Sequence, residues 1–143
     1  MKGFAIIVTG LLLFWSPSLA QTSDAVDKAR LARTVWSAFQ CSTFAEMSGD
    51  KKEQARLFLV GLEAGRDFLE ALKSGQISDD AMSKEVPVGV TLALQGPSPD
   101  FILGRIFENA VGALEISQWA KDDGLKKAKA QTEYGKHNCV FIK

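Results

Sequence analysis

Residues 50–75 read DKKEQARLFLVGLEAGRDFLEALKSG, and this stretch decides the fold class. Asp50 followed three places later by Glu53 has the spacing of a capping box, in which the first side chain accepts a backbone N–H of the opening turn. Ser74-Gly75 supplies the stop, because glycine adopts the left-handed conformation that ends a helix. Between these signals Leu57, Phe58, Leu62, Phe68, Leu69 and Leu72 share one side with Gly61 and Gly65. Glu53, Arg56, Glu63, Asp67 and Glu70 lie on the other. That is the 3.6-residue period of an amphipathic helix, and it predicts the element around which the core is organised. A glycine inside a helix costs roughly 1 kcal/mol relative to alanine. Gly61 and Gly65 therefore predict the close approach of another helix; a groove that admits a ligand or a partner's side chain is the other reading.

Toward the N-terminus, Ala25, Ala29, Ala32, Trp36, Phe39, Thr43 and Met47 recur at steps of three and four. They predict a helix over 23–48, with Thr22, Ser23 and Asp24 as acceptable caps. Gly49 closes it and Asp50 opens the next, and so short a link makes antiparallel neighbours, a helical hairpin.

Toward the C-terminus, Ser78 caps a third helix whose first-turn acids, Asp79 and Asp80, suit the positive end of the helix dipole. Pro87 stops it at about residue 85. The next stretch, VPVGVTLALQ over 86–95, reads two ways. Val88, Val90, Leu92 and Leu94 alternate as a strand would, whereas Pro87 suits a first helical position and Gly96 a stop. Only 139–142 could pair with such a strand and a lone strand is not stable, so a short buried helix is the expectation. GPSPDFILGRIFE then opens a helix at Ser98-Pro99-Asp100 that runs to about Ala120, with Ile102, Leu103, Ile106, Phe107, Ala110, Ala113 and Leu114 inward. A last, largely polar helix over 123–134 stops at Gly135. The predicted fold is all-α, a compact bundle of about four or five helices.

The chain has 143 residues with 17 basic and 17 acidic side chains. Met1-Lys2, the apolar run from Phe4 to Trp15, Pro17 and the small-x-small site Ser18-Leu19-Ala20 have the layout of an export signal. Residues 1–20 are thus expected to be a cleaved signal peptide and 21–143 a single helical domain, periplasmic or secreted. An uncleaved anchor is the rival reading, though the run is shorter than the roughly 20 apolar residues of a spanning helix. The balanced charge predicts no nucleic-acid partner and no polybasic membrane patch. Leu125 to Lys129 is Lys-rich but sits beside Asp122 and Asp123, which offset it.

Two cysteines, Cys41 and Cys139, remain in an expected oxidising compartment, where an even count reads as a disulfide. Such a bond closes nearly the whole domain. The alternative is a nucleophilic Cys139 with His137 as its base, since both lie in GKHNC; two residues apart in an extended tail, they would point to opposite sides. Other catalytic constellations are absent: there is one histidine, and no G-x-S-x-G, H-E-x-x-H or phosphate-cradling glycine loop. No catalytic residue, cofactor or metal is expected.

Candidate partner contacts come from an internal echo. Gly65-Arg66-Asp67-Phe68 and Gly104-Arg105-Ile106-Phe107 each place an acid after the arginine at helical spacing, Glu70 for Arg66 and Glu108 for Arg105. Either the two arginines converge on an anion or a partner's carboxylate, or they make two exposed intrahelical pairs worth a few tenths of a kcal/mol. Leu59 and Val60 lie on the polar side of their helix, covered by another helix or left as an apolar contact for a partner.

Together the export signal, the capped hairpin, GPSPDFILGRIFE and the C-terminal GKHNC resemble the small uncharacterised helical proteins exported by Gram-negative bacteria. In size, export, helical content and one disulfide the chain is loosely similar to the immunity proteins that protect the periplasm against type VI secretion amidases. The resemblance implies a non-catalytic module that binds another envelope protein as an inhibitor or accessory factor, and no residue role carries over with it. A second functional class is a small-molecule carrier with an apolar pocket between the helices near Gly61, Gly65 and Leu92, and a third is an enzyme using surface carboxylates such as Glu46, Asp67 and Glu108.

Overall fold

The computed structural model describes residues 19–143, with side chains from Ser23 onward. It contains α1 (Leu19–Ser48), α2 (Lys51–Lys73), α3 (Asp79–Glu85), the single-turn α4 (Val88–Thr91), α5 (Pro99–Gly112) and α6 (Asp123–Lys136), with 3₁₀ turns at Ile116–Gln118 and Cys139–Phe141. No strand occurs among the described residues. Four helices start where a side chain can take an orphaned amide of the first turn. Asp50 accepts from Glu53 N at 3.0 Å, Ser78 from Ala81 N at 3.3 Å, Ser98 from Phe101 N at 3.2 Å and Asp122 from Leu125 N at 2.9 Å. Glu53 does not complete a capping box: its carboxylate is bound elsewhere, and the Asp50 amide donates to Ala45 O.

The expected signal peptide lies outside the described residues except for Leu19 and Ala20, which are helical and continuous with α1. Thr22, Ser23 and Asp24 therefore sit inside a helix and do not cap it.

The organising element is α1, not α2. Every residue from Ala38 to Ala45 is buried, because α2, α3, α5, α6 and the last 3₁₀ turn all pack on this one rod. A helix enclosed on several sides needs no polar stripe, so periodicity understates its role. Its buried polar groups are matched to backbone carbonyls: Gln40 Nε2 donates to Ala110 O at 3.2 Å, Ser42 Oγ to Gln54 O at 3.1 Å, and Thr43 Oγ1 to Phe39 O at 3.1 Å.

The glycines on α2 explain how closely its neighbours approach, α1 at Gly61 and α5 at Gly65. A Cβ on Gly61 would stand 2.6 Å from Phe39 Cε1, and one on Gly65 would stand 2.3 Å from Leu103 Cδ2. The antiparallel hairpin turns through Gly49 at φ +89°. One core joins the first half of α1 to α2, α3, α4 and α5 around Phe39, Phe68, Val90, Leu103 and Ile106. The other surrounds Cys41, Phe44, Leu57, Trp119, Ala130 and Cys139 at the opposite end of α1.

Three details depart from the sequence pattern. The 86–95 stretch is a helical turn, but only Val90 and Ala93 are buried, and Val88 and Leu92 face out. α5 stops at Gly112, short of Ala120, because Glu115 adopts a left-handed conformation (φ 49°) and the following 3₁₀ turn carries Trp119 into the core. α6 passes through Gly135 to Lys136, and the reversal falls on Asn138 (φ 54°). The Cys41–Cys139 disulfide is present, with both cysteines fully buried, their Cα atoms 5.5 Å apart and 98 positions between them in sequence. No described helix is long and apolar enough to cross a membrane.

Candidate functional site: an apolar face and a polar cleft

α2, α5 and α4 lie side by side, since α5 packs against both of the others. Their outer surface keeps large apolar side chains in water: Leu59 is 63% exposed, Phe101 51%, Val88 74%, Leu92 68% and Phe58 37%. Single exposed apolar side chains are ordinary, and these five fall on three neighbouring elements. Phe58 also belongs to a ring cluster with Phe39 and Phe107, with centroids 5.3 to 5.7 Å apart. These rings, with Leu62, Leu103 and Gly104, line an open hollow of about 300 Å³ whose rim carries Arg66 and Asp100.

The six residues expected to contact a partner divide here. Arg66 reaches across to Asp100 on α5 at 3.4 Å instead of pairing with Glu70. Both Arg66 and Glu70 line a second hollow of about 450 Å³ with Asp67, Leu69 and Lys73. Arg105 does not pair with Glu108; its guanidinium donates to Gln95 O at 2.6 Å and Leu92 O at 3.3 Å, fastening the loop after α4 onto α5. The two arginines thus serve opposite flanks of α5. Glu70 and Glu108 are exposed, and neither makes an ion pair among the described residues. No helix covers Leu59, while Val60 is half-buried. The interior expected for a carrier near Gly61 and Gly65 is filled by Phe39, Val35 and Leu103, and Leu92 faces outward.

A third concavity, of about 290 Å³, opens at the other end of α1 between Gln40, Phe44, Leu114, Trp119, Lys129, Glu133 and His137. Phe44 and the Trp119 ring stack with 13° between planes at 6.3 Å, and His137 meets Phe44 edge-on at 5.0 Å. Lys129 Nζ stands 4.5 Å from the Trp119 ring centroid, a cation–π contact. The Lys136 ammonium, bonded at 2.9 Å, lowers the Glu133 carboxyl below its usual range, helped by His137 and Lys129. Sequence reading missed this cleft. Its one visible signal was Gln40, a polar residue on a helix otherwise patterned for burial. His137 turns to Phe44 and Glu133, and Cys139 is in the disulfide, so no thiol–imidazole pair exists here.

Between these regions a polar clasp joins α2, α6 and the tail. Arg56 donates to both Glu53 oxygens at 2.6 and 2.7 Å and to Ile142 O at 2.7 Å, and the Tyr134 hydroxyl donates to Glu53 Oε1 at 2.6 Å. The hydrogen bonds from Arg56 hold the Glu53 carboxyl down to about 2 against the cost of burying it, with Tyr134 adding to the effect. Burial, then the bond to Glu53, pushes the Tyr134 phenol up to about 12. Among the described residues no three His, Cys, Asp or Glu side chains gather as a metal site would require.

No protein-family model matches the chain, and no curated protein or solved structure does.

Proposed function

We propose that the chain is a non-catalytic module of the cell envelope that binds another protein, as an inhibitor or accessory factor, through the outer face of α2, α5 and α4. The observation that carries this reading is that Phe58, Leu59, Val88, Leu92 and Phe101 stay exposed on three adjacent elements, two of which the exposed Arg66–Asp100 pair bridges. Apolar anchors with charged neighbours are the composition of protein interfaces, where aromatic and arginine side chains supply most of the energy. The loose similarity in size, export, helical content and one disulfide to type VI amidase immunity proteins is the analogy behind the inhibitor reading.

The test is retention of a specific envelope protein on the immobilised oxidised chain at micromolar concentration, compared with a Leu59→Ser/Phe101→Ser variant. Retention by the first and loss by the second supports the reading. Retention of nothing, or equal retention by both, removes it. The carrier reading keeps one supporting feature, the aromatic-lined hollow at Phe58, Leu62 and Phe107, and an apolar ligand displaced by Gly104→Phe would favour it.

A further inference from the structure

We infer that the cleft between α1 and α6 is a binding site for a small carboxylic acid that also carries a hydroxyl or N–H donor. Gln40 forms its floor. Gln40 is only 7% exposed, and its Nε2 donates to Ala110 O, which fixes which end of the amide is oxygen. That oxygen has no hydrogen-bond partner among the described residues, yet no fully buried side-chain oxygen or nitrogen there is left unpaired. Oε1 is therefore open to solvent, and Gln40 lines this concavity. An acceptor at the floor of the cleft, on a helix enclosed by its neighbours, offers a bond to a donor that enters in place of water.

The rim supplies the opposite requirement. Lys129, Lys136 and His137 surround the single carboxylate Glu133, and Lys136 already bonds that carboxylate. Lys129 makes no ion pair among the described residues and is held at the wall by the Trp119 ring. The local balance thus favours an anion at the rim with a donor group pointing inward to Gln40. Phe44 and Trp119 form the apolar wall between them. At about 290 Å³ the cleft lies at the lower limit of small-molecule sites, which run from about 300 to 1,000 Å³, so its occupant is a compact acid. This site shares no lining residue with the α2–α5–α4 face and stands or falls separately from the protein-binding reading.

The experiment is a titration of the oxidised chain with 4-hydroxybenzoate, followed by the indole N–H resonance of Trp119 and the side-chain amide of Gln40. Benzoate, which lacks the donor, and phenol, which lacks the charge, serve as comparisons. Saturable shifts at both reporters are expected, with each comparison ligand at least tenfold weaker. Lys129→Met keeps the aliphatic stem on Trp119 and changes an exposed residue, so it folds; it is expected to weaken 4-hydroxybenzoate at least tenfold. No saturable shift, equal binding of benzoate, or an unchanged affinity in Lys129→Met would each overturn the assignment.

Discussion

The Tyr134 hydroxyl donates to Glu53 Oε1 at 2.6 Å, joining two helices whose residues lie 81 positions apart. Arg56 grips the same carboxylate and the carbonyl of Ile142, so one acid anchors α2, α6 and the C-terminal tail. A carboxyl held down to about 2 in the fold and near 4.5 when free stabilises the protein fully above pH 4.5. That contribution is lost as pH falls through the interval to 2. On the alkaline side the phenol is held up to about 12 from 10. Between those values the unfolded chain loses the proton first, and stability falls as pH rises. Glu53→Gln should flatten the acid limb of a urea-midpoint profile, and Tyr134→Phe should flatten the alkaline limb and cost about 1–3 kcal/mol at pH 7. Unchanged profiles in both variants would refute the clasp.

Cys41 and Cys139 are both fully buried, so a reductant reaches the bond only when the tail opens. Native protein should resist dithiothreitol that reduces it readily in urea, as scored by thiol titration. The double alanine variant should lose up to about 4–5 kcal/mol, the chain-entropy value for a loop of this length.

Two helix glycines should respond in opposite directions. Gly61→Ala forces a methyl against the buried Phe39 ring, which must shift to admit it, and should cost about 1–3 kcal/mol. A Cβ on Gly104 meets nothing within 4 Å. Gly104→Ala should therefore gain up to about 1 kcal/mol from helix propensity alone. Thermal midpoints of the two variants decide it, and equal destabilisation would contradict the packing at α2.

Arg105 fastens the loop after α4 through two backbone carbonyls. Arg105→Ala should raise amide exchange over residues 88–98 while leaving α1 and α2 protected. Uniform change along the chain would show that the contact has no local role.

What was legible in the residues was what local chemistry decides. Asp50, Ser78 and Ser98 accept amides three residues ahead, and Gly75, at φ +70°, ends α2. Those interactions span one turn, so neighbouring letters suffice to predict them. The Cys41–Cys139 pairing was equally open to deduction, because two cysteines allow one intrachain bond. The partner-contact residues were less accessible. Arg66 and Arg105 each had an acid at helical spacing, yet both chose atoms on another element, Asp100 and the carbonyls of Leu92 and Gln95. A long, flexible cation settles on whichever acceptor the packing brings nearest, and spacing along one helix does not contain that information.

The sequence by itself determined that this chain is helical, where four of its helices begin, and which two sulfurs join. Only the tertiary structure decided that α1 is the central rod, that Leu59, Leu92 and Phe101 remain in water, and that Gln40 faces a cleft with Lys129. The physical reason is range: caps and periodicity act within a turn or two, whereas enclosure of a helix depends on which distant segments come to rest against it.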